Sequence, residues 1–126
     1  KAHAMTDVTG FGLAGHVQGI CVQSNVSAQI WLDRIPILPG ALGLAKAGVR
    51  SSLFADNRGL IGDCPDTTRA ELLFDPQTAG GLLAAVDPEQ VEQIVKKFQK
   101  AKLSYDIIGR ITNIKGGMVD VVPNSS

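Results

Sequence analysis

His3-Ala4-Met5-Thr6-Asp7-Val8-Thr9-Gly10-Phe11-Gly12-Leu13-Ala14-Gly15-His16 is the most informative stretch of this chain. Between Thr6 and Gly15 it holds one carboxylate, two threonines and three glycines. Apolar residues at Leu13, Val17, Ile20 and Cys21 follow at helical spacing, which predicts a helix opening at Thr9 or Gly10. Thr9 suits the N-cap, where its hydroxyl would accept a backbone N–H of the first turn. Gly10 and Gly12 would leave the first N–H groups uncovered, and an open helix end with its positive dipole favours a phosphate. Asp7, just before that end, is an oxygen ligand of the kind magnesium takes beside nucleotide phosphates. The same pattern arises without any ligand, because Thr-Gly capping and an aspartate before a helix are favourable by themselves. Neither the dinucleotide fingerprint nor the P-loop spacing fits.

A second stretch, Leu72-Leu73-Phe74-Asp75-Pro76-Gln77-Thr78-Ala79-Gly80-Gly81-Leu82-Leu83, reads as the end of a helix, a turn and a buried strand. The turn from Gln77 to Gly81 can present bare N–H groups to an anion. It can equally be a tight connection whose glycines take positive φ. Asp75 reads as turn chemistry, bonding its own backbone.

Between and beyond these stretches, Ser27–Leu32 alternates as a strand with one face in the core. Asp33–Gly40 is a turn into a short helix, Ala41–Ala47, stopped by Gly48. Residues 49–64 show weak periodicity and read as a connector or a functional loop. Pro65-Asp66-Thr67 opens a helix running to Phe74, with Thr68 and Glu71 at capping-box spacing. Asp87-Pro88-Glu89-Gln90 is a strong helix start, followed by Val91, Ile94, Val95 and Phe98 on the inward face. Tyr105–Ile111 and Met118–Val122 read as two strands of a hairpin closed by Asn113–Gly117. The predicted class is α+β, a mixed sheet of about four strands covered by helices. One domain is expected over residues 1–126, with its core at about 3–122 and a frayed tail at 123–126.

The 126 residues are 44% hydrophobic and 19% charged, with twelve basic and twelve acidic side chains. That balance gives no case for binding nucleic acid or a charged membrane surface, and no apolar run has the length of a membrane span. Cys21 and Cys64 make no disulfide scaffold, which fits a reduced, cytoplasmic setting. With His3 and His16 they show no zinc-ligand spacing. His16 reads as a polar or capping residue rather than a base. The chain opens without a methionine and is expected to be part of a longer protein.

The first stretch resembles the segment that opens the C-terminal domain of the selenophosphate synthetase family. The second resembles that family's other signature, in which serine usually stands at the position of Ala79. Ile35-Pro36-Ile37-Leu38-Pro39-Gly40 also matches, and the resemblance runs from His3 to about Val122. It implies the α+β C-terminal domain of the aminoimidazole ribonucleotide synthetase-like superfamily. It also implies an enzyme that converts ATP, selenide and water to selenophosphate, AMP and phosphate with Mg2+, as a homodimer. Most of the ATP site would lie in an N-terminal domain of the same protein, with Asp7 reaching across as a magnesium ligand. Thr6, Thr9, Gly10 and Gly12, with Thr78, Gly80 and Gly81, are the candidates for ATP-phosphate contacts. The family's reactive cysteine or selenocysteine and its lysine belong to the N-terminal region, so no catalytic residue and no activity are expected in this fragment. An asparagine also lies near Asn57 in that family, in surroundings that match less well. Two alternatives stand beside this one. One is a relative such as aminoimidazole ribonucleotide synthetase, whose opening motif is closer to His-Ile-Thr-Gly-Gly-Gly. The other is a non-catalytic module that binds a nucleotide or a partner.

Overall fold

The computed structural model describes residues 1–125, leaving Ser126 of the expected tail outside the described residues. In chain order the elements are β1 (Ala2–Asp7), α1 (Gly12–Ser24), β2 (Ser27–Trp31), α2 (Ala41–Lys46), α3 (Phe54–Gly59), α4 (Thr68–Glu71), β3 (Leu82–Val86), α5 (Val91–Lys100), β4 (Gly109–Thr112) and β5 (Val119–Val122). Short 3-10 turns lie at Leu32–Arg34, Leu72–Phe74 and Pro88–Gln90. The α+β class stands, with mixed strand pairing. The described strands form two sheets: β1 pairs antiparallel with β3, while β2 lies between an antiparallel β4 and a parallel β5.

The core forms where α1 lies over the central strand. Ala14, Val17 and Cys21 face inward from α1 and meet Ala28 and Ile30 of β2 and Val121 of β5. Leu73 and Phe74, each 1% exposed, close the same core from the 3-10 turn. Burying each of these two side chains contributes roughly 1.5–3 kcal/mol, so the second motif is anchored before its loop begins. Thr67, rather than Thr68, caps α4: its hydroxyl accepts the Ala70 N–H at 3.2 Å. Asp87 caps as expected, accepting the Glu89 N–H at 3.0 Å with Pro88 next in the chain.

Several expectations do not hold. The stretch before Thr9 is a strand, because Ala2–Asp7 finds a partner in β3, far along the chain. Its small and polar residues give little β signal of their own. The first helix opens at Gly12 instead of Thr9 or Gly10, with Phe11 at the N-cap and no side-chain cap bond. Residues 49–64 contain a helix, α3. The last two strands do not form a hairpin, because β2 sits between them and uses one edge for each. The first of the two begins at Gly109; the preceding Tyr105 is engaged by Phe98 (ring centroids 6.0 Å apart) and by the Gln99 amide. The expected fraying does not apply to Ser125, whose N–H and hydroxyl bond the Asp33 carboxylate at 2.8 and 3.0 Å. The inward face of α5 is only partly covered, and Phe98 remains 38% exposed.

The two motifs meet backbone to backbone. Val8 N–H donates to Gly81 O (3.0 Å) and Gln77 N–H donates to Thr9 O (3.1 Å). Gly80 is required by this approach: a Cβ there would run into the Val8 carbonyl oxygen and lie 2.6 Å from Gln77 Oε1. Gly12 is required twice over, by a φ of +75° and by Leu73 O, which would lie 2.7 Å from a Cβ. We expect Gly80→Ala to cost about 1–3 kcal/mol and to lower Tm by roughly 5–10 °C. Gly81→Ala, where an added Cβ meets nothing within 4 Å, should stay within about 0.5 kcal/mol. Paired thermal melts of the two variants check the contrast; equal losses would remove the close approach as the reason for Gly80.

Candidate functional site

The seam between the motifs ends in an open rim. β1 delivers Asp7 at its last position, opposite Leu82 of β3. Antiparallel pairing therefore puts the Asp7 end of the first motif beside the start of the strand that follows the second. The chain then turns through Val8–Phe11 into α1, and Asp75–Gly81 runs alongside. Asp7, Thr78 and Gly81 are exposed on this rim, while Thr6, Thr9, Gly10 and Gly80 are half-buried. The two sets of sequence candidates thus lie at one end of the β1–β3 pair, with the Thr6 and Asp7 side chains on opposite faces of the strand.

Their chemistry differs. Asp7 shows no side-chain hydrogen bond or ion pair among the described residues, which leaves both carboxylate oxygens to solvent. The Thr6 hydroxyl donates to the Asp7 carbonyl at 3.1 Å. Gly12 is buried and its N–H donates to Thr9 O at 3.1 Å, so that N–H is not bare as expected. Gly80 and Gly81 do not take positive φ; at Gly80 it is close approach that excludes a side chain.

His16 is a clamp. Thr9 N–H donates to its Nε2 at 2.9 Å, and Thr9 Oγ1 lies 3.1 Å from the same nitrogen. An accepting Nε2 has its lone pair engaged, which places the ring proton on Nδ1. The Thr9 hydroxyl caps no first-turn N–H; the histidine instead takes up the backbone N–H of Thr9 itself, holding the loop before α1 against the helix. The imidazole also lies against Phe11, with ring centroids 5.7 Å apart.

Asn57 is the residue whose importance the sequence hid. It is 4% exposed, and its Nδ2 donates to Gly10 O (2.9 Å) and to Phe74 O (3.0 Å). Its signal is present in the spacing: Phe54, Asn57 and Ile61 fall on one helical stripe, with the polar residue at a core position. Arg58 beside it stacks on Phe74 at 5.1 Å and donates to Ile61 O and Gly62 O, bracing the segment after α3.

No group of three metal-ligating side chains occurs among the described residues, so Asp7 can supply one ligand but not a complete metal site. Burial raises the thiol pKa of both Cys21 and Cys64, with Arg58 partly opposing this at Cys64. Neither thiol has the lowered pKa of an activated nucleophile. Beside the rim, β1 and α1 border an open groove of about 710 Å3 lined by Met5, Phe11, Gly15, Val22 and Leu60 among others. Met5 and Phe11 are both 60% exposed. No helix among the described residues is long and apolar enough to cross a membrane.

Residues 1–122 match the family described as AIR synthase related protein, C-terminal domain. The chain is 42% identical over 125 residues to a selenide, water dikinase of Cronobacter sakazakii, covering 94% of this chain and 35% of that protein. It is 40% identical over 124 residues to the selenide, water dikinase of a Sulfurovum species, covering 94% and 36%. It therefore spans about a third of the length of the curated relatives it matches. Among solved structures it resembles a thiamine-monophosphate kinase from Stenotrophomonas maltophilia, with a TM-score of 0.63 and 24% identity over 99% of this chain and 33% of that one. That likeness speaks to the fold alone. The family match covers nearly every described residue, including both motifs, and the chain belongs to the AIR synthase related C-terminal domain family.

Proposed function

We propose that this chain is the C-terminal part of an ATP-dependent selenophosphate synthetase. In this reading the whole protein makes selenophosphate from selenide, ATP and water, releasing AMP and phosphate. The observation that carries the proposal is the junction of the two motifs into one rim bearing an unpaired carboxylate, Asp7. The identity to selenide, water dikinases over both motifs supports the choice of acceptor. Phosphoryl transfer from ATP rests on positioning and charge stabilisation more than on a dedicated base.

The residues present fit a shared magnesium site. Asp7 is exposed at the end of a paired strand, so its backbone is held in place while its carboxylate remains free to ligate. Magnesium is usually held by one or two carboxylates plus phosphate oxygens, and when bound it would neutralise charge on the nucleotide phosphates. The remaining ligands would come from an N-terminal domain. The half-buried loop backbone at Thr9, Gly10 and Gly80, with Thr6, Thr78 and Gly81, would face the ATP phosphates. Gly12 contributes shape, since its N–H is already bonded. The exposed apolar residues Met5 and Phe11 beside the rim suit a covering domain of the same protein. A homodimer in a cytoplasmic setting completes the proposal.

Asp7→Asn in the full-length protein should reduce magnesium-dependent ATP turnover by at least roughly a hundredfold, while Tm moves by no more than a few degrees. Phosphorus NMR with Mg-ATP, with and without selenide, reads this directly. Selenide-dependent selenophosphate and AMP are expected from the wild type; ATP left intact by a folded wild-type protein would overturn the reading. The isolated chain, holding only part of the site, should bind Mg-ATP no tighter than about millimolar. Micromolar binding in a calorimeter would contradict a shared site.

A further inference from the structure

α3 (Phe54–Gly59) is a six-residue helix whose one buried residue is an asparagine. This inverts the usual arrangement, in which a short surface helix is held by an apolar side chain and leaves its polar ones in water. Each hydrogen bond of a buried amide contributes a net of only about 1 kcal/mol after desolvation, and an apolar side chain buried there would contribute a similar amount, roughly 1.5–3 kcal/mol. Stability alone is therefore a poor reason for Asn57. Geometry is a better one. The primary amide carries two hydrogens in a fixed plane, and they go to two carbonyls: Gly10 O in the first loop and Phe74 O at the root of the second. No hydroxyl can donate twice, and a longer side chain would move the donor.

We infer that Asn57 is a positioning residue, setting the spacing between the loop after Asp7 and the loop from Asp75 to Gly81 so that both meet the same bound polyphosphate. This rests on the reading that the rim faces Mg-ATP. The direct bonds from Val8 N–H to Gly81 O and from Gln77 N–H to Thr9 O join the loops along one side. Asn57 ties them on the buried side, so the loops are joined on both sides.

The test uses the full-length protein with two variants. Asn57→Leu keeps a buried side chain of similar size and removes both donors. Asn57→Asp puts oxygens where the donors were; the acid can donate one bond when protonated and repels both carbonyls when charged. Burial among carbonyls raises the pKa of such a carboxyl. We expect Asn57→Leu to lower kcat on the order of 10–100-fold, as misplacement of a reacting group does, with KM for Mg-ATP changed far less and a higher Mg2+ concentration needed for half-activation. Asn57→Asp should recover activity relative to wild type as pH falls, and Asn57→Leu should not. Hydrogen exchange by mass spectrometry should quicken in peptides containing Val8 and Gln77 and stay unchanged in β2.

Activity that falls only in proportion to the folded fraction, with Mg2+ half-activation and loop exchange as in wild type, would overturn the proposal. A wild-type protein that turns over no ATP would overturn the function reading instead. The exchange at Val8 and Gln77 would then decide the coupling of the loops without reference to activity.

Discussion

Two hydrogen bonds and one missing side chain hold the two motifs of this structure together. Val8 N–H reaches Gly81 O, Gln77 N–H reaches Thr9 O, and Gly80 lets the Val8 carbonyl approach without a Cβ in the way. Both loops hang from ordered elements. The first lies between β1 and α1, and the second between the buried Leu73-Phe74 pair and β3. Because β1 pairs only with β3, the strand that carries Asp7 owes its pairing to the strand that follows the second motif. The two motifs are therefore one structural unit rather than two sites brought near each other.

The polar residues beneath the rim work for the loop backbone. His16 satisfies the Thr9 N–H from below, and Asn57 satisfies Gly10 O and Phe74 O from behind. Hydrogen bonds made away from water are electrostatically stronger than exposed ones, so these contacts restrain the loop backbone they reach. Asp7, at the end of β1, takes no part in this network among the described residues. A carboxylate on a paired strand end, with its oxygens in solvent, is fixed where its backbone joins the sheet and unconstrained at its tip.

The sequence carried the parts of this picture that depend on local pattern. The Asp87-Pro88 cap and the helix from Val91 were legible because capping bonds and short-range periodicity decide them; Leu82–Val86 is a strand as read but not a buried one, with Leu82 77% exposed. Asp7 stood out through its neighbours Thr6, Thr9 and Gly10. β1 was not legible: Ala2, Ala4 and Asp7 are residue types depleted in strands, and pairing with β3 makes the segment a strand. The separation of β4 from β5 was hidden for a related reason. A glycine-rich link between two strands reads as a hairpin unless one knows that β2 occupies the slot between them.

Gly12 and Gly80 show the same division at single residues. Their presence in motifs was evident, but local chemistry suggested uncovered N–H groups or positive φ. The structure assigns Gly80 to a backbone contact with Val8 and Gly12 to both a positive φ and a contact with Leu73. Asn57 sat on a helical stripe between Phe54 and Ile61, and nothing nearby in sequence named its two carbonyl partners. By itself the sequence determined the α+β class, most of the helices, the two motifs and the carboxylate between Thr6 and Val8. The tertiary structure alone decided that the motifs touch, which glycines the contact requires and which buried amide spans it. Those outcomes depend on groups far apart along the chain, and local propensity carries no information about such distances.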